Sequence, residues 1–376
     1  MQFQALLVLT DNSAAELLSH VLANFQVDQD LCAAPGDAAH LLEEKTFDIV
    51  LVDFDDSHAA AQVIDNVRHS STAKNAVAVC LLSDPSKVRS VFGMGANFVL
   101  YKPVNGEHAN ASLRSAIALL KRERRRKFRV PVQLPVTLSW QDTPEVEGIM
   151  LDVSEDGMDV LSAQPLQGSQ NLEVHFSLPD LTQLHAHAQV VWANSNGQAG
   201  LQFADFSEES RETLSAWLGA NSPELPAEAE PLSQCKLSDL SLGACYIETE
   251  SPFPRRTKID LCLRAANLEV RARGFVRVMH PEHGMGVEFA SRTSAERAEV
   301  EHFIEFLSSQ PDVMPQLSVT PKSIDFSPNS GDSSSEYYQL EDELIQLLRR
   351  EENMTQEEFL AELHAQRRSQ AHATTA

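Results

Sequence analysis

Two stretches of the 376-residue chain repeat one another: DVSEDG at 152 is echoed by DLSLGA at 239, and GLQF at 200 by GVEF at 286. The offsets of 87 and 86 residues agree closely enough to mark a duplicated domain rather than a chance match. Each copy is a run of alternating β-type segments broken by Gly, Pro and Asn; the first contains VQLPVTLSW, EGIMLDV, NLEVHFSLP and AHAQVVWANS. Each closes on a capped helix, opened by Ser207 with Glu208 and Glu209 in the first copy and by the pair Thr293 and Glu296 in the second. This texture predicts two small antiparallel β-barrels.

The N-terminal part has a different period. Continuous apolar runs, ALLVL near 5, DIVLVD near 48, AVAVCLL near 76 and NFVLY near 97, alternate with amphipathic stretches such as SAAELLSHVLANF and HAAAQVIDNVR. Unbroken apolar strands are buried on both faces, so a parallel sheet with covering helices, a doubly wound α/β domain, is expected.

The expected organisation is multidomain. It comprises an α/β domain at 1–122, a first barrel at 123–219, a linker at 220–231, a second barrel at 232–310, a flexible Pro-, Ser- and Asp-rich connector at 311–334 and a short helical or disordered tail at 335–376. In the tail Tyr337, Leu340, Leu344 and Leu347 recur at helical steps, and Thr355 with Glu358 forms a capping box.

A formal net charge of -24 excludes a general nucleic-acid binder, because polyphosphate is repelled over most of the surface. The exception is a basic run, Lys121, Arg122, Arg124, Arg125, Arg126, Lys127 and Arg129. Asp11 interrupts the first apolar run and no basic segment precedes it, which argues against a signal peptide. No apolar stretch has the length of a membrane span, so no membrane insertion is expected. The five cysteines are scattered without CxxC spacing, unlike a disulfide framework or zinc site. A cytoplasmic protein is expected.

Arg125 and Arg129 are spaced RxxxR, and Asp152, Ser154 and Gly157 follow as DxSxxG. Guanine presents N7 and O6 to an arginine fork, and its N1 and N2 hydrogens suit a carboxylate. Arginine also stacks on purines and pairs with phosphate. Over residues 123 to 218 this pattern resembles the PilZ family, in which the arginines and the D/NxSxxG strand bind cyclic di-GMP. The resemblance makes Arg125, Arg129, Asp152, Ser154 and Gly157 the ligand-binding candidates, with Arg126 as a helper. The second copy keeps Asp239 and Ser241 but has Ala244 in the glycine position. Residues 219–236 hold no arginine and carry Glu224, Glu228 and Glu230, so no nucleotide site is expected there.

In the α/β domain Asp11, Asp53, Ser83 and Lys102 all follow strand ends that open on one crevice. Two carboxylates there suit Mg²⁺, and a lysine and a hydroxyl suit a phosphoryl group on Asp53. The first 120 residues resemble a response-regulator receiver. That resemblance implies Asp53 as phosphoacceptor, Asp11 and Asp53 as metal ligands, Ser83 and Lys102 as switch residues and Tyr101 as the aromatic switch. Thr10 stands where the first acid of the family's pair belongs, so weaker metal binding follows. Phosphorylation, with a histidine kinase as partner, and a pseudo-receiver role in docking both stay open.

Together these readings give a non-enzymatic cyclic di-GMP receptor that relays binding through domain reorientation to a protein partner. The alternative is a phosphorylation-driven regulator whose barrels serve only protein interaction. No GxSxG, HExxH, P-loop, dinucleotide, GGDEF or EAL signature points to an enzyme.

Overall fold

The computed structural model describes residues 2–140, 144–222, 232, 235–290, 293–310, 313–326, 343–350 and 354–373. Most of the expected linker at 220–231, and Tyr337 and Leu340 of the tail, lie outside the described residues. The chain divides into two compact units, one made of Met1–Leu120 together with Ala229–Ala376, the other of Lys121–Glu228.

The N-terminal segment runs β1 (Phe3–Val8), α1 (Asn12–Asn24), β2 (Val27–Cys32), α2 (Pro35–Glu44), β3 (Ile49–Asp53), α3 (Ser57–His69), β4 (Val77–Leu82), α4 (Val88–Gly93), β5 (Phe98–Tyr101) and α5 (Gly106–Lys127). The sheet is parallel in the order β2-β1-β3-β4-β5. Strands β3 and β4 are buried at every position, which is why their sequences are unbroken apolar runs. This is a receiver-like α/β fold.

The second unit contains β6 (Val130–Ser139), β7 (Val146–Val153), β8 (Gly157–Ser162), β9 (Asn171–Ser177), β10 (Gln183–Ala193), β11 (Gln198–Asp205) and α6 (Glu208–Asn221). Its strands close into a barrel in the order β10-β11-β8-β7-β6-β9. Along β9 buried and exposed residues alternate strictly, sending Leu172, Val174 and Phe176 inward. Leu214 and Leu218 of α6 complete that core.

The remaining strands are β12 (Lys236–Leu240), β13 (Ala244–Glu248), β14 (Thr257–Ala265), β15 (Leu268–His280) and β16 (Gly284–Phe289); α7 (Ser294–Ser309), β17 (Gln316–Ile324), α8 (Glu343–Arg350) and α9 (Gln356–Ala373) follow. They build a six-stranded antiparallel sheet in the order β12-β13-β16-β15-β14-β17. The barrel read from β7 through β8, β11, β10 and β9 to β6 has the same succession, so β17 holds the place of β6 although it lies beyond the last helix. Two expectations are corrected. The connector at 311–334 contains a strand hydrogen-bonded along the length of β14, and the second copy is a six-stranded sheet rather than a closed barrel like the first, with Leu232, ahead of β12, making a single bridge to Val319 of β17.

This sheet and the receiver-like domain share one continuous hydrophobic core. Ser115 of α5 donates to the Ser251 carbonyl at 2.8 Å, and His108 Nδ1 lies 3.1 Å from Glu282. Helices α8 and α9 cover the outer face of the sheet, where Leu344, Ile345, Leu347, Leu348, Phe359 and Leu363 are buried against Ala244, Tyr246 and Val278. Among the described residues no helix is long and apolar enough to cross a membrane.

Candidate functional site

Helix α5 runs without a break into the basic segment and ends at Lys127. Arginines in the last turn of a helix complement its dipole, but here carboxylates of the barrel also receive them. Arg122 Nη1 lies 2.5 Å from Glu155, Arg125 Nε donates to Glu155 at 3.4 Å, and Arg125 also donates to the Ser215 hydroxyl at 3.2 Å. Arg126 donates to Asp156 at 2.7 Å and to Glu123 at 2.8 Å. Arg129, two residues past the helix, lies in the open: its Nη1 bridges Asp152 at 2.6 Å and Asp159 at 3.2 Å. Burial first, and then the neighbouring Asp152 carboxylate, push the Asp159 carboxyl above its ordinary range; Arg129 opposes them.

The DxSxxG residues have separate tasks. Asp152 faces Arg129, whereas Ser154 is buried and both its hydroxyl and its N–H donate to the Gly157 carbonyl, at 3.1 and 2.8 Å, which closes the β7–β8 turn. Gly157 sits so close to β11 that a Cβ would collide with the Leu201 carbonyl oxygen. Asp152 pairs in register with Asp159, Asp159 with Gly200 and Gly200 with Trp192, so four neighbouring strands set these residues in one row. The Trp192 indole covers Gly200 and remains 41% exposed. A recess on this unit, between Trp140, Pro165, Gln170 and Glu173, contains no motif residue.

In the receiver-like domain Asp53 is buried at the end of β3. It accepts from Lys102 Nζ at 2.6 Å and from the Thr10 hydroxyl at 2.9 Å. Lys102 also reaches Asp55 at 2.8 Å; burial pulls its ammonium down, but the bonds to Asp53 and Asp55 outweigh this and hold it above its ordinary value. Ser83 donates to Asp55 at 2.7 Å rather than facing Asp53, and with Lys102 it holds the Asp55 carboxyl low. Burial, then the charge of Glu282, raise the Tyr101 hydroxyl. Asp11 caps α1, accepting from the Ser13 and Ala14 N–H groups at 2.9 and 3.3 Å. The donors therefore fit Mg²⁺ poorly: Asp11 is committed to the helix, Thr10 supplies a hydroxyl, and among the described residues no three His, Cys, Asp or Glu side chains gather as a metal site.

Residues 123–220 match the model of the family described as PilZ domain. This segment is a PilZ domain. Among solved structures the PilZ domain of CeSA from a cellulose-synthesizing bacterium is 21% identical, covering 25% of this chain and 97% of that one with a TM-score of 0.22. The chemotaxis response regulator CheY4 of Vibrio cholerae is 22% identical over 31% of this chain and 99% of its own, TM-score 0.29. A response regulator receiver domain from Methylobacillus flagellatus is 20% identical over 31% and 99%, TM-score 0.28. No curated protein matches the chain.

Set against this PilZ domain, the second copy keeps Asp239 in the place of Asp152 but lacks the arginines and their other acidic partners in the barrel. Ser241 closes the same turn, donating to the Ala244 carbonyl at 3.1 Å from its hydroxyl and 2.8 Å from its N–H. Leu242 and Gly243, however, replace Glu155 and Asp156, and Tyr246 replaces Asp159. Sequence reasoning missed Glu155, Asp156, Asp159, Trp192 and Asp55. The two acids inside DVSEDG opposite a basic run were the available signal for the first pair.

Proposed function

We propose that this chain is a non-catalytic cyclic di-GMP receptor in bacterial signal transduction, with the PilZ domain as its nucleotide site. The observation that carries this reading is the convergence of Arg129, Asp152 and Asp159 on one outward face. A guanine can take over the Arg129 fork through N7 and O6 while its N1 and N2 hydrogens satisfy the carboxylates. The half-exposed Trp192 offers an aromatic surface on which a purine stacks, worth about 1–3 kcal/mol per base. Arg125 and Arg126 hold the arm that delivers Arg129, and Ser154 and Gly157 fix the turn beneath it. Isothermal titration with cyclic di-GMP is the direct test: a saturable heat that Arg129→Ala weakens about ten- to a hundredfold supports the site. Full-strength binding by the variant would overturn it.

The relay we propose runs through α5, one continuous helix from the receiver-like domain to the arginines. Gathering Arg129 around a ligand orders residues 115–130 and changes what the protein presents to a protein partner. Ile149 and Leu161, paired across β7 and β8, are exposed and offer an apolar surface for such a partner, where the second copy has Lys236 and Glu248. Hydrogen exchange that is unchanged across 115–130 at saturating ligand would remove the junction from the mechanism.

The ion pair of Lys102 with Asp53 favours a second input, phosphorylation of Asp53 by a histidine kinase, with Lys102 neutralising the added charge and Tyr101 reporting it. If the chain takes up phosphate but gives no heat with the dinucleotide, the phosphorylation-driven alternative stands, with both β domains as protein-interaction modules.

A further inference from the structure

The second copy buries the face that the PilZ domain leaves open. In the PilZ domain Gly200 is covered by the molecule's own Trp192; in the second copy the matching residues are Gly286 and Val278, paired in the same register. Val278 covers the glycine only in part and shares the space above it with Leu348 of α8, so that a Cβ on Gly286 would collide with both side chains. Tyr246 forms the polar floor, its hydroxyl 2.7 Å from His280 Nδ1, and His280 Nε2 is 2.9 Å from the Met354 carbonyl between α8 and α9. At the rim Arg349 of α8 donates to Glu288 at 2.7 Å.

We propose that this face is a receptor for an amphipathic helix, and that α8 and α9 are its tethered resident, exchangeable with a helix of a partner protein. The partner helix carries the same features: an apolar stripe matching Leu344, Leu347 and Leu348, followed by an arginine for Glu288. The apolar seat supplies affinity; the ion pair and the Tyr246–His280 floor set register and direction. None of this depends on nucleotide binding at the PilZ domain. A tethered helix competes at millimolar effective concentration, so the intact chain admits a free helix only weakly until its own is displaced.

The test uses full-length protein and a fluorescent synthetic peptide of residues 343–364. Leu348→Asp detaches the resident helix, and peptide affinity is expected to rise at least about tenfold over the unmodified chain. Adding Gly286→Leu to that variant fills the seat and abolishes the gain. Equal affinity of Leu348→Asp and unmodified chain, or full affinity in the double variant, overturns the proposal. Should Leu348→Asp fail to fold, the unmodified isotope-labelled chain is mixed with millimolar unlabelled peptide: faster amide exchange in its own α8 supports displacement, and unchanged protection overturns it.

Discussion

Arg125 and Glu155 form a buried pair, Nε to carboxylate oxygen at 3.4 Å, while Arg129 four residues on remains 41% exposed in its side chain. The two arginines of one RxxxR motif therefore have different work. Arg125→Ala should destabilise the PilZ domain by up to about 3 kcal/mol, at the low end for a broken buried pair because Arg122 still faces Glu155. Arg129→Ala should change stability by no more than about 0.5 kcal/mol and act on nucleotide affinity instead. Urea unfolding of both variants checks this, and equal stability of Arg125→Ala and the unmodified protein would refute a structural role for the pair.

Gly157→Ala should cost about 1–3 kcal/mol, because the new methyl meets the Leu201 carbonyl and β8 must move away from β11. The reverse change, Ala244→Gly in the second copy, restores the motif letters without the arginines or an open face. In an Arg129→Ala background it should yield no heat with cyclic di-GMP, and a measurable isotherm would show that the glycine alone makes a site.

Docking of the tail should weaken in acid. Burial, foremost, lowers His280 from 6.5 to about 4, so it is neutral when α8 and α9 are docked. Its contribution is fully present above the ordinary value of 6.5 and is lost as pH falls toward 4, because the exposed ring binds a proton that the covered ring refuses. At pH 5 the loss is about 2 kcal/mol. Limited proteolysis near Met354 should accelerate between pH 7 and 5, and His280→Asn should flatten that dependence; an identical profile in the variant would assign it to other groups.

Thr10→Asp should strengthen Mg²⁺-dependent phosphorylation at Asp53. The threonine now donates to Asp53 where a second carboxylate would face a cation. Acetyl phosphate labelling, read by intact mass, should rise in the variant and vanish in Thr10→Asp with Asp53→Asn. Labelling no greater than in the unmodified chain would show that the acid is not what the site lacks.

Much of this was legible from local pattern. Unbroken apolar runs placed β1, β3, β4 and β5, alternation placed β6, β7, β9 and β10 of the first copy, and the echo GVEF placed β16 of the second. Capping residues marked helix starts, as with the reciprocal Thr293 and Glu296 bonds. The segment of β17 was misjudged because Ser, Pro and Lys in QLSVTPKSI carry weak strand preference. It is a strand because the edge of β14 needs a partner, and Pro321 is tolerated because β17 is itself an end strand of the sheet.

The amino-acid sequence by itself determined the duplication, the periodicity of each domain and the residue types of the RxxxR and DxSxxG motifs, because these are properties of neighbours along the chain. Only the tertiary structure decided that the first and third folded segments share one core while the PilZ domain forms its own unit. It also decided that Arg125 is interior and Arg129 available, and that α8 lies over the face equivalent to the motif face. Each of these depends on which surfaces meet across tens or hundreds of residues. Such meetings are set by shape and burial, as where Val278 and Leu348 together cover Gly286.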